Sequence, residues 1–196
     1  MSFPPEYSWL LDPKLRPLPK VVQVGLRHLG IQEVVGKGSN AAIIGWRDQL
    51  NAAGHKIVGF SDDDIPWCGL YIAYVMFMAG KPVQKDPLWA RNWANYGTEV
   101  AKLQSGKLVN APGRVPSLGD ILVYQRPGGG GHVDIYIAET PTVFIGLGGN
   151  KSNRVQISGI DKKRCIAVRR PPMNAAPASV KPYFVSRAGN LTQNEA

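Results

Sequence analysis

The chain is poor in cysteine, and this scarcity excludes one class of fold. Its 196 residues include only two cysteines, Cys68 and Cys165. Two cysteines cannot form the disulfide framework of a small secreted protein, so the fold does not depend on an oxidising compartment. Zinc-finger spacing, an RNA-recognition signature and a basic zipper are also absent from the sequence. Nucleic acid is therefore a disfavoured partner.

Long apolar runs are missing as well. The longest run, at residues 65–80, is shorter than the roughly 20 residues that a membrane-spanning helix needs. The N-terminus has no basic start followed by an apolar stretch, so we expect neither a signal peptide nor insertion into a membrane. A chain of this length is expected to form one domain with tails, and we expect a monomer.

Acidic residues are outnumbered by basic ones. The chain has 14 acidic and 23 basic side chains, a net charge of +9 and a pI of about 9.7. This balance favours an anionic partner: nucleic acid, a membrane surface or an acidic polymer such as a bacterial cell wall. Seven basic residues and one acid lie between Lys151 and Arg170. A solvated basic rim explains this cluster as well as a binding surface does.

Composition divides the chain into three parts. Residues 1–17 are rich in proline and are predicted to form an irregular arm, with Trp9, Leu10 and Leu11 as its anchor. Residues 18–172 are predicted to hold the folded domain. Residues 173–196 are poor in apolar side chains and rich in alanine, proline, serine and asparagine, which predicts a flexible tail.

Hydrophobic periodicity places helices before strands. Helices are predicted at residues 19–29, 41–53 and 65–80, with a short helix or turn at 88–96. Strands are predicted at residues 120–124, 132–138, 143–147, 154–158 and 164–168. Helices followed by an antiparallel sheet of about five strands indicate an α+β domain.

The run at residues 65–80 holds the first candidate for chemistry. Pro66 near its start and Gly80 at its end predict a buried helix with Cys68 in the first turn. A thiol there lies near the positive end of the helix dipole, which favours the attacking thiolate. Backbone N–H groups of the same turn could form an oxyanion hole. The competing interpretation is that Cys68 is a small apolar core residue.

His132 is the best candidate for the base that Cys68 needs. It opens a predicted strand behind four glycines and lies on the face opposite Val133, Ile135 and Ile137, so it should point away from the core. An imidazole placed in this way can take the proton of a thiol, or pair with a thiolate as imidazolium.

A third group should accept a hydrogen bond from the second ring nitrogen of His132. Asn150 is the preferred candidate, because an antiparallel hairpin would return the end of the next strand beside His132. Asp134 competes with it, since it shares a face with His132 but lies about 7 Å along the strand. Asn153 is a further alternative.

The order of these segments resembles that of the CHAP and NlpC-type cysteine amidases and peptidases, which cut bacterial peptidoglycan. Trp67-Cys68-Gly69 at the start of an apolar helix resembles their nucleophile motif. Residues 119–124 (GDILVY) and 131–133 (GHV) resemble their Gly-Asp and Gly-His-Val strands. Residues 148–153 (GGNKSN) resemble the Gly-Gly-Asn-Gln-Ser-Asn stretch of one phage-rich branch, as do Ile31-Gln32-Glu33, Gly38-Ser39-Asn40 and Arg169-Arg170-Pro171. The resemblance runs from about residue 21 to residue 171.

The resemblance implies a papain-like α+β fold for a catalytic domain at residues 18–172. In it, Cys68 is the nucleophile, His132 the base and acid, and Asn150 the orienting residue. The resemblance also adds the further site residues Trp67, Asn153, Glu33 and Asn40, and we expect the last two to line the cleft. One departure is Asp134, because the branch usually has a small residue there. Asp134 could raise the pKa of His132 or act as a second orienting group.

Three consecutive acids, Asp62, Asp63 and Asp64, precede the nucleophile. Some CHAP domains bind calcium through acids at this place, and carboxylates are suitable ligands, but the spacing fits no complete calcium loop. We expect no cofactor and predict instead that Asp64 caps the helix. Cys165 is expected to be an inert core residue, although a Cys68–Cys165 disulfide would abolish the activity.

By resemblance, the protein is expected to cleave an amide bond of peptidoglycan through a thioester. Its size, charge and apparent lack of a signal peptide are typical of a phage endolysin, made in the host cytoplasm and acting at the cell wall after release. A secreted antibacterial effector or a virion-associated wall hydrolase would use the same chemistry. A non-catalytic wall-binding module is the remaining alternative. A muramoyl-alanine amidase and a stem-peptide endopeptidase fit the residues equally well.

Overall fold

The computed structural model describes residues 3–186 and has an α+β architecture, as the order of the predicted elements indicates. Its three α-helices are α1 (Lys20–Leu26), α2 (Ala41–Ala52) and α3 (Cys68–Met78). Short 3₁₀ helices occur at Pro5–Leu11, Pro13–Leu15, Ala90–Asn95 and Lys162–Arg164. Among residues 3–186, no helix is both long and apolar enough to cross a membrane.

Seven strands form one antiparallel sheet in the order β2-β1-β7-β3-β4-β5-β6. Their bounds are β1 (Thr98–Gln104), β2 (Lys107–Asn110), β3 (Ile121–Gln125), β4 (Gly131–Glu139), β5 (Val143–Lys151), β6 (Arg154–Asp161) and β7 (Cys165–Arg170). The five predicted strands correspond to β3–β7. The expected count of about five is too low because the hairpin β1–β2 was not predicted. Most of its side chains are exposed, so its sequence carries little hydrophobic alternation.

Helix α3 lies at the centre of the main core. It packs on β4 and β5 and against α1 and α2, so nine of its eleven residues are buried. A helix enclosed on all sides is apolar all round, which explains why its sequence has no polar face. The helix begins at Cys68 with Trp67 as its N-cap residue, and no side chain caps it. The predicted cap by Asp64 is therefore wrong: the chain still bends at Asp64, whose backbone N–H donates to Asp62.

The other face of the sheet is buried too. Side chains from β1 and from β3–β7 form a second hydrophobic cluster there, which includes Leu122, Tyr136, Phe144 and Val168. His132, which was expected to point away from the core, is instead completely buried. Its ring stacks on Tyr124, a member of this second cluster.

Both ends of the described chain pack on the domain. In the N-terminal arm Tyr7 and Leu10 are buried, whereas Leu11 is exposed. Residues 173–186, predicted to be part of a flexible tail, instead follow the surface through backbone hydrogen bonds, two of which join Glu139 to Tyr183 and Val185. The ring of Tyr183 stacks on Trp9, with centroids 4.8 Å apart. The rest of the predicted tail, residues 187–196, lies outside the described residues.

A buried ion pair joins the start of β3 to the end of β7. The carboxylate of Asp120 is fully buried and accepts hydrogen bonds of 2.8 and 2.9 Å from Arg170. Arg170→Met would leave this carboxylate buried without a cation, so we expect the free energy of unfolding to fall by about 3 kcal/mol. Lys102→Met, which removes an exposed pair with Glu99, should change it by less than about 0.5 kcal/mol. Urea unfolding of both variants measures the difference, and equal effects would contradict a structural role for the Asp120 pair.

Candidate active site

The candidate nucleophile lies where the main helix begins. Cys68 is the first residue of α3, so its thiol is close to N–H groups that have no partner within the helix. Gly69 follows because the first turn lies against the backbone carbonyls of Pro87 and Leu88, and a Cβ at this position would overlap them. The Trp-Cys-Gly sequence therefore suits a helix start that is pressed against a neighbouring segment.

His132 lies in β4 and is fully buried. It pairs across the sheet with Tyr124, whose ring stacks on the imidazole at a centroid distance of 6.2 Å. Its Nε2 atom is 2.6 Å from Oδ1 of Asp134. The other nitrogen, Nδ1, has no ordinary hydrogen bond to any described residue, and the Cys68 side chain is close enough to act on the ring. Nδ1 is thus the nitrogen left for the thiol.

The carboxylate of Asp134 has a second cationic partner. Its Oδ2 atom is 2.6 Å from Nζ of Lys151, and both side chains are completely buried. The ammonium of Lys151 also donates to the backbone carbonyls of Gly146 (3.0 Å) and Ser158 (3.1 Å). Three acceptors match its three protons. Cys68, His132, Asp134 and Lys151 therefore form a continuous chain of interacting groups.

Burial and charge act in opposite directions on this chain. Burial alone would lower the pKa of His132, but the charge and hydrogen bond of Asp134, helped by Cys68, raise it to about 9. Burial alone would raise the pKa of Asp134, but Lys151 and His132 together lower it. His132 is therefore an imidazolium at neutral pH. Because its pKa exceeds the ordinary value of 6.5, its contribution to stability is complete below about pH 6.5 and is lost as pH rises through 9.

A bulge in β5 explains how Lys151 reaches Asp134. Gly148 pairs with Gln156 and Lys151 with Arg154, so β5 contains one residue more than β6 over this interval. The extra residue reverses the alternation of side chains, and Lys151 comes to the face that Gly148 shares with Asp134.

In this structure the group at Nε2 of His132 is Asp134 and not Asn150, the residue preferred from the sequence. Asn150 lies within the bulge and has a left-handed backbone, with φ of 57°. Its side-chain Oδ1 is buried and accepts no hydrogen bond from any described residue. The regular hairpin assumed for the prediction would have placed Asn150 opposite His132, but the bulge alters the backbone at that point. Asp134, the competing candidate, occupies the position instead.

The Asp134 carboxylate has space beside β5 because residue 148 is glycine. A Cβ at Gly148 would overlap Oδ1 of Asp134, the atom that binds His132. Gly148→Ala should therefore displace the carboxylate and reduce any catalytic activity of this site by about 10²-fold, since small misplacements have effects of this size. Gly45→Ala is a suitable control: a Cβ there meets nothing within 4 Å, and α2 should gain up to about 1 kcal/mol. Activity assays on the two purified variants give the comparison, and unchanged activity in Gly148→Ala would contradict this geometry.

A hydrogen bond between Glu33 and Trp67 connects the segment Ile31-Gln32-Glu33 to the residue before Cys68. Nε1 of Trp67 donates to the Glu33 carboxylate at 3.1 Å, and burial raises the pKa of Glu33. The backbone N–H of Glu33 donates to the carbonyl of Asn153, which lies in the tight turn between β5 and β6. Asn153 thus binds Glu33 through its backbone carbonyl and makes no described contact with His132.

Asn40 and Asp63 fasten the loop before α2. Asn40 caps α2 through Ala42 and donates to the carbonyl of Gln32. Asp63 accepts from the backbone N–H groups of Val34 and Asn40. The side chains of Glu33 and Asn40, which were expected to line the cleft, are thus both held by internal hydrogen bonds.

A cleft of about 360 Å³ opens beside Cys68. Its walls are mostly apolar, and Trp89 at its edge is 72% exposed. The run of four glycines at residues 128–131 forms another part of the wall through Gly130 and Gly131. Arg91 donates to the carbonyl of Gly130 at 2.7 Å. Arg126 adds a positive charge to the lining. The cleft can therefore accept a partly apolar ligand.

The three aspartates before α3 and the second cysteine make no described hydrogen bond to this chain of groups. Among residues 3–186, no cluster of three histidine, cysteine or acidic side chains is arranged to hold a metal ion, and the three aspartates are no exception. Cys68 and Cys165 are both free thiols. Burial raises the pKa of Cys165 to about 12, which fits the prediction of an inert core residue.

Sequence reasoning missed Lys151 and Trp89. Lys151 was counted within a basic cluster, and only the bulge makes it a buried partner of Asp134. One signal was available in the sequence. Position 151 is lysine, whereas the Gly-Gly-Asn-Gln-Ser-Asn stretch that residues 148–153 resemble has glutamine there. Trp89 was assigned to a short helix, and its exposure beside Cys68 is a tertiary feature.

The chain has no match among known protein families, and no curated protein matches it.

Proposed function

We propose that the protein is a cysteine hydrolase with a papain-like arrangement that cleaves an amide bond of bacterial peptidoglycan. The observation that carries this proposal is the buried chain from Cys68 through His132 to Asp134 at the edge of an open cleft. A thiol, an imidazole and an orienting carboxylate are the groups that nucleophilic cleavage of an amide needs. The resemblance of the ordered motifs to CHAP and NlpC-type enzymes supports the choice of substrate.

The first step is attack by the Cys68 thiolate on the carbonyl carbon of the scissile amide. The carbonyl electrons move to oxygen, and the resulting oxyanion is stabilised by N–H groups at the start of α3. His132 starts as imidazolium and gives its Nδ1 proton to the leaving nitrogen. The C–N bond breaks, the amine departs, and the acyl group remains on Cys68 as a thioester.

The second step returns the enzyme to its starting state. Neutral His132 takes a proton from water, and the hydroxide attacks the thioester. The C–S bond breaks, which releases the carboxylic acid and leaves the Cys68 thiolate beside imidazolium. Asp134 accepts the hydrogen bond from Nε2 throughout, so that Nδ1 stays directed at the reacting atoms.

The charge of the protein suits an anionic wall. The net charge of +9 favours association with an acidic polymer, and Arg126 lies in the cleft itself. We propose that the protein acts at the bacterial wall after release from a host cytoplasm, as an endolysin does.

Mass spectrometry of digested walls tests the proposal. Purified protein incubated with purified peptidoglycan should release fragments that carry a new amine and a new carboxylate. A new free L-alanine amine would identify a muramoyl-alanine amidase, whereas new termini within the stem peptide would identify an endopeptidase. New reducing sugar ends alone, or no soluble fragments at all, would contradict amide cleavage.

A further inference from the structure

We propose that Lys151 is a positioning residue of this site, whose ammonium holds the Asp134 carboxylate ionised and in the one orientation that binds His132. The effect on catalysis rests on the proposed function. The effect on His132 itself does not, because the contacts among the three side chains exist whether or not a substrate is cleaved.

The carboxylate of Asp134 is fixed at both of its oxygens. Oδ1 is 2.6 Å from Nε2 of His132, and Oδ2 is 2.6 Å from Nζ of Lys151. A carboxylate held by one oxygen can rotate about the bond to Cβ, whereas one held by two cations has a single orientation. Lys151 therefore fixes the direction in which Asp134 presents its other oxygen to His132.

Lys151 itself is held by three strands. Its three acceptors belong to Asp134 on β4, Gly146 on β5 and Ser158 on β6. The side chains of Lys151 and Asp134 are completely buried, so bulk solvent is not in contact with them to replace a lost bond. The side chain of Lys151 therefore cannot move without leaving a buried group unpaired, and its position is as rigid as the sheet.

Lys151 also weakens the effect of the Asp134 charge on the protonation of His132. Two cations share one carboxylate, so only part of its charge acts on the imidazole. The other titratable groups around this pair are Cys68 and Tyr71 on α3, Tyr124 on β3 and Cys165 on β7. Burial raises the pKa of Tyr71 and Cys165, so both are neutral at pH 7. Lys151 is therefore the charged group that balances Asp134.

Lys151→Met tests the inference through the titration of His132. With Lys151 gone, the whole charge of Asp134 acts on His132, so the ring should titrate at higher pH than in the wild type. We expect kcat/KM at neutral pH to fall by about 10- to 100-fold, the size typical of groups that orient a functional residue. Two-dimensional NMR of histidine-labelled protein measures the titration, and turbidity of purified walls measures the rate.

Lys162→Met is the matched control. Lys162 also pairs with a carboxylate, that of Glu139, and packs on the ring of Phe144. It has no contact with His132 or Asp134 among the described residues, so the variant should leave the His132 titration and the rate unchanged. His28 and His55 provide internal references in the same spectra.

A second variant avoids the unpaired carboxylate that could unfold Lys151→Met. Asp134→Asn combined with Lys151→Met removes both charges. If Lys151 acts on catalysis through Asp134, the double variant should match Asp134→Asn alone in kcat/KM. A different result, or an unchanged His132 titration in a folded Lys151→Met, would overturn the inference. Failure of the wild type to cut walls would instead overturn the proposed function, and the titration would still decide the role of Lys151.

Discussion

Cys68→Ala is expected to abolish cleavage of purified peptidoglycan, with a loss on the order of 10⁴-fold or more. In the proposed mechanism the thiolate forms the covalent intermediate, and no other described group that lines the cleft is a thiol. The substitution removes one sulfur from the first turn of α3, so the fold should survive. Turbidity loss of purified walls measures the activity, and circular dichroism confirms that the helices remain.

Cys165→Ala is the matched control for this prediction. Cys165 is also buried, but it belongs to the second hydrophobic cluster on the other face of the sheet. Its replacement should cost some stability and leave the rate of wall cleavage within about twofold of the wild type. Iodoacetamide should modify Cys68, which lines the cleft, and spare Cys165. Wild-type rates in Cys68→Ala would mean that the protein does not use a cysteine nucleophile.

Asp134→Asn is expected to lower kcat/KM by about 10²- to 10⁴-fold, because an amide cannot hold His132 as imidazolium with Nδ1 directed at the thiol. The pH dependence should change as well. In the wild type, kcat/KM should fall as pH rises through about 9, where His132 loses the proton that the leaving amine needs. In the variant, burial still lowers the pKa of His132 but the carboxylate no longer raises it. The alkaline limb of the pH profile, where kcat/KM falls, should then move to lower pH.

Asn150→Ala distinguishes the two candidates for the third residue. Because Asn150 makes no hydrogen bond to His132, its replacement should lower kcat/KM by less than about tenfold and leave the alkaline limb in place. Rates and pH profiles of the two variants, measured on the same walls, give the comparison. A larger loss in Asn150→Ala than in Asp134→Asn would return the orienting role to the residue favoured by sequence.

Much of the fold follows from local sequence patterns. Helix α2 was predicted to within one residue because Asn40 provides a cap at its start and Gly54 stops it. Strand β4 was predicted from its alternation of side chains, and that alternation holds as far as Tyr136. The hairpin β1–β2 could not be predicted in the same way, since a mostly exposed edge lacks the apolar pattern on which such predictions depend.

The proximity of Cys68 and His132 was predictable from the sequence, whereas the group that contacts His132 was not. Cys68 and His132 could be chosen from a helix start and a strand start, and the structure brings both side chains together. The choice between Asn150 and Asp134 depended on the register at the end of β5, where the bulge adds one residue. A change of one residue reverses which face a strand presents, and nothing local in the sequence announces it.

The pair of Asp134 and Lys151 imposes a rule on how this chain can diverge. A carboxylate without the ammonium, or an ammonium without the carboxylate, would leave one unpaired charge in the interior and lower stability, so single changes at these positions should be selected against. Relatives should therefore carry either both charges or two uncharged residues at these positions. A change from the charged pair to the uncharged pair requires both residues to be replaced together. Such covariation would mark two subfamilies that orient the same histidine by different means.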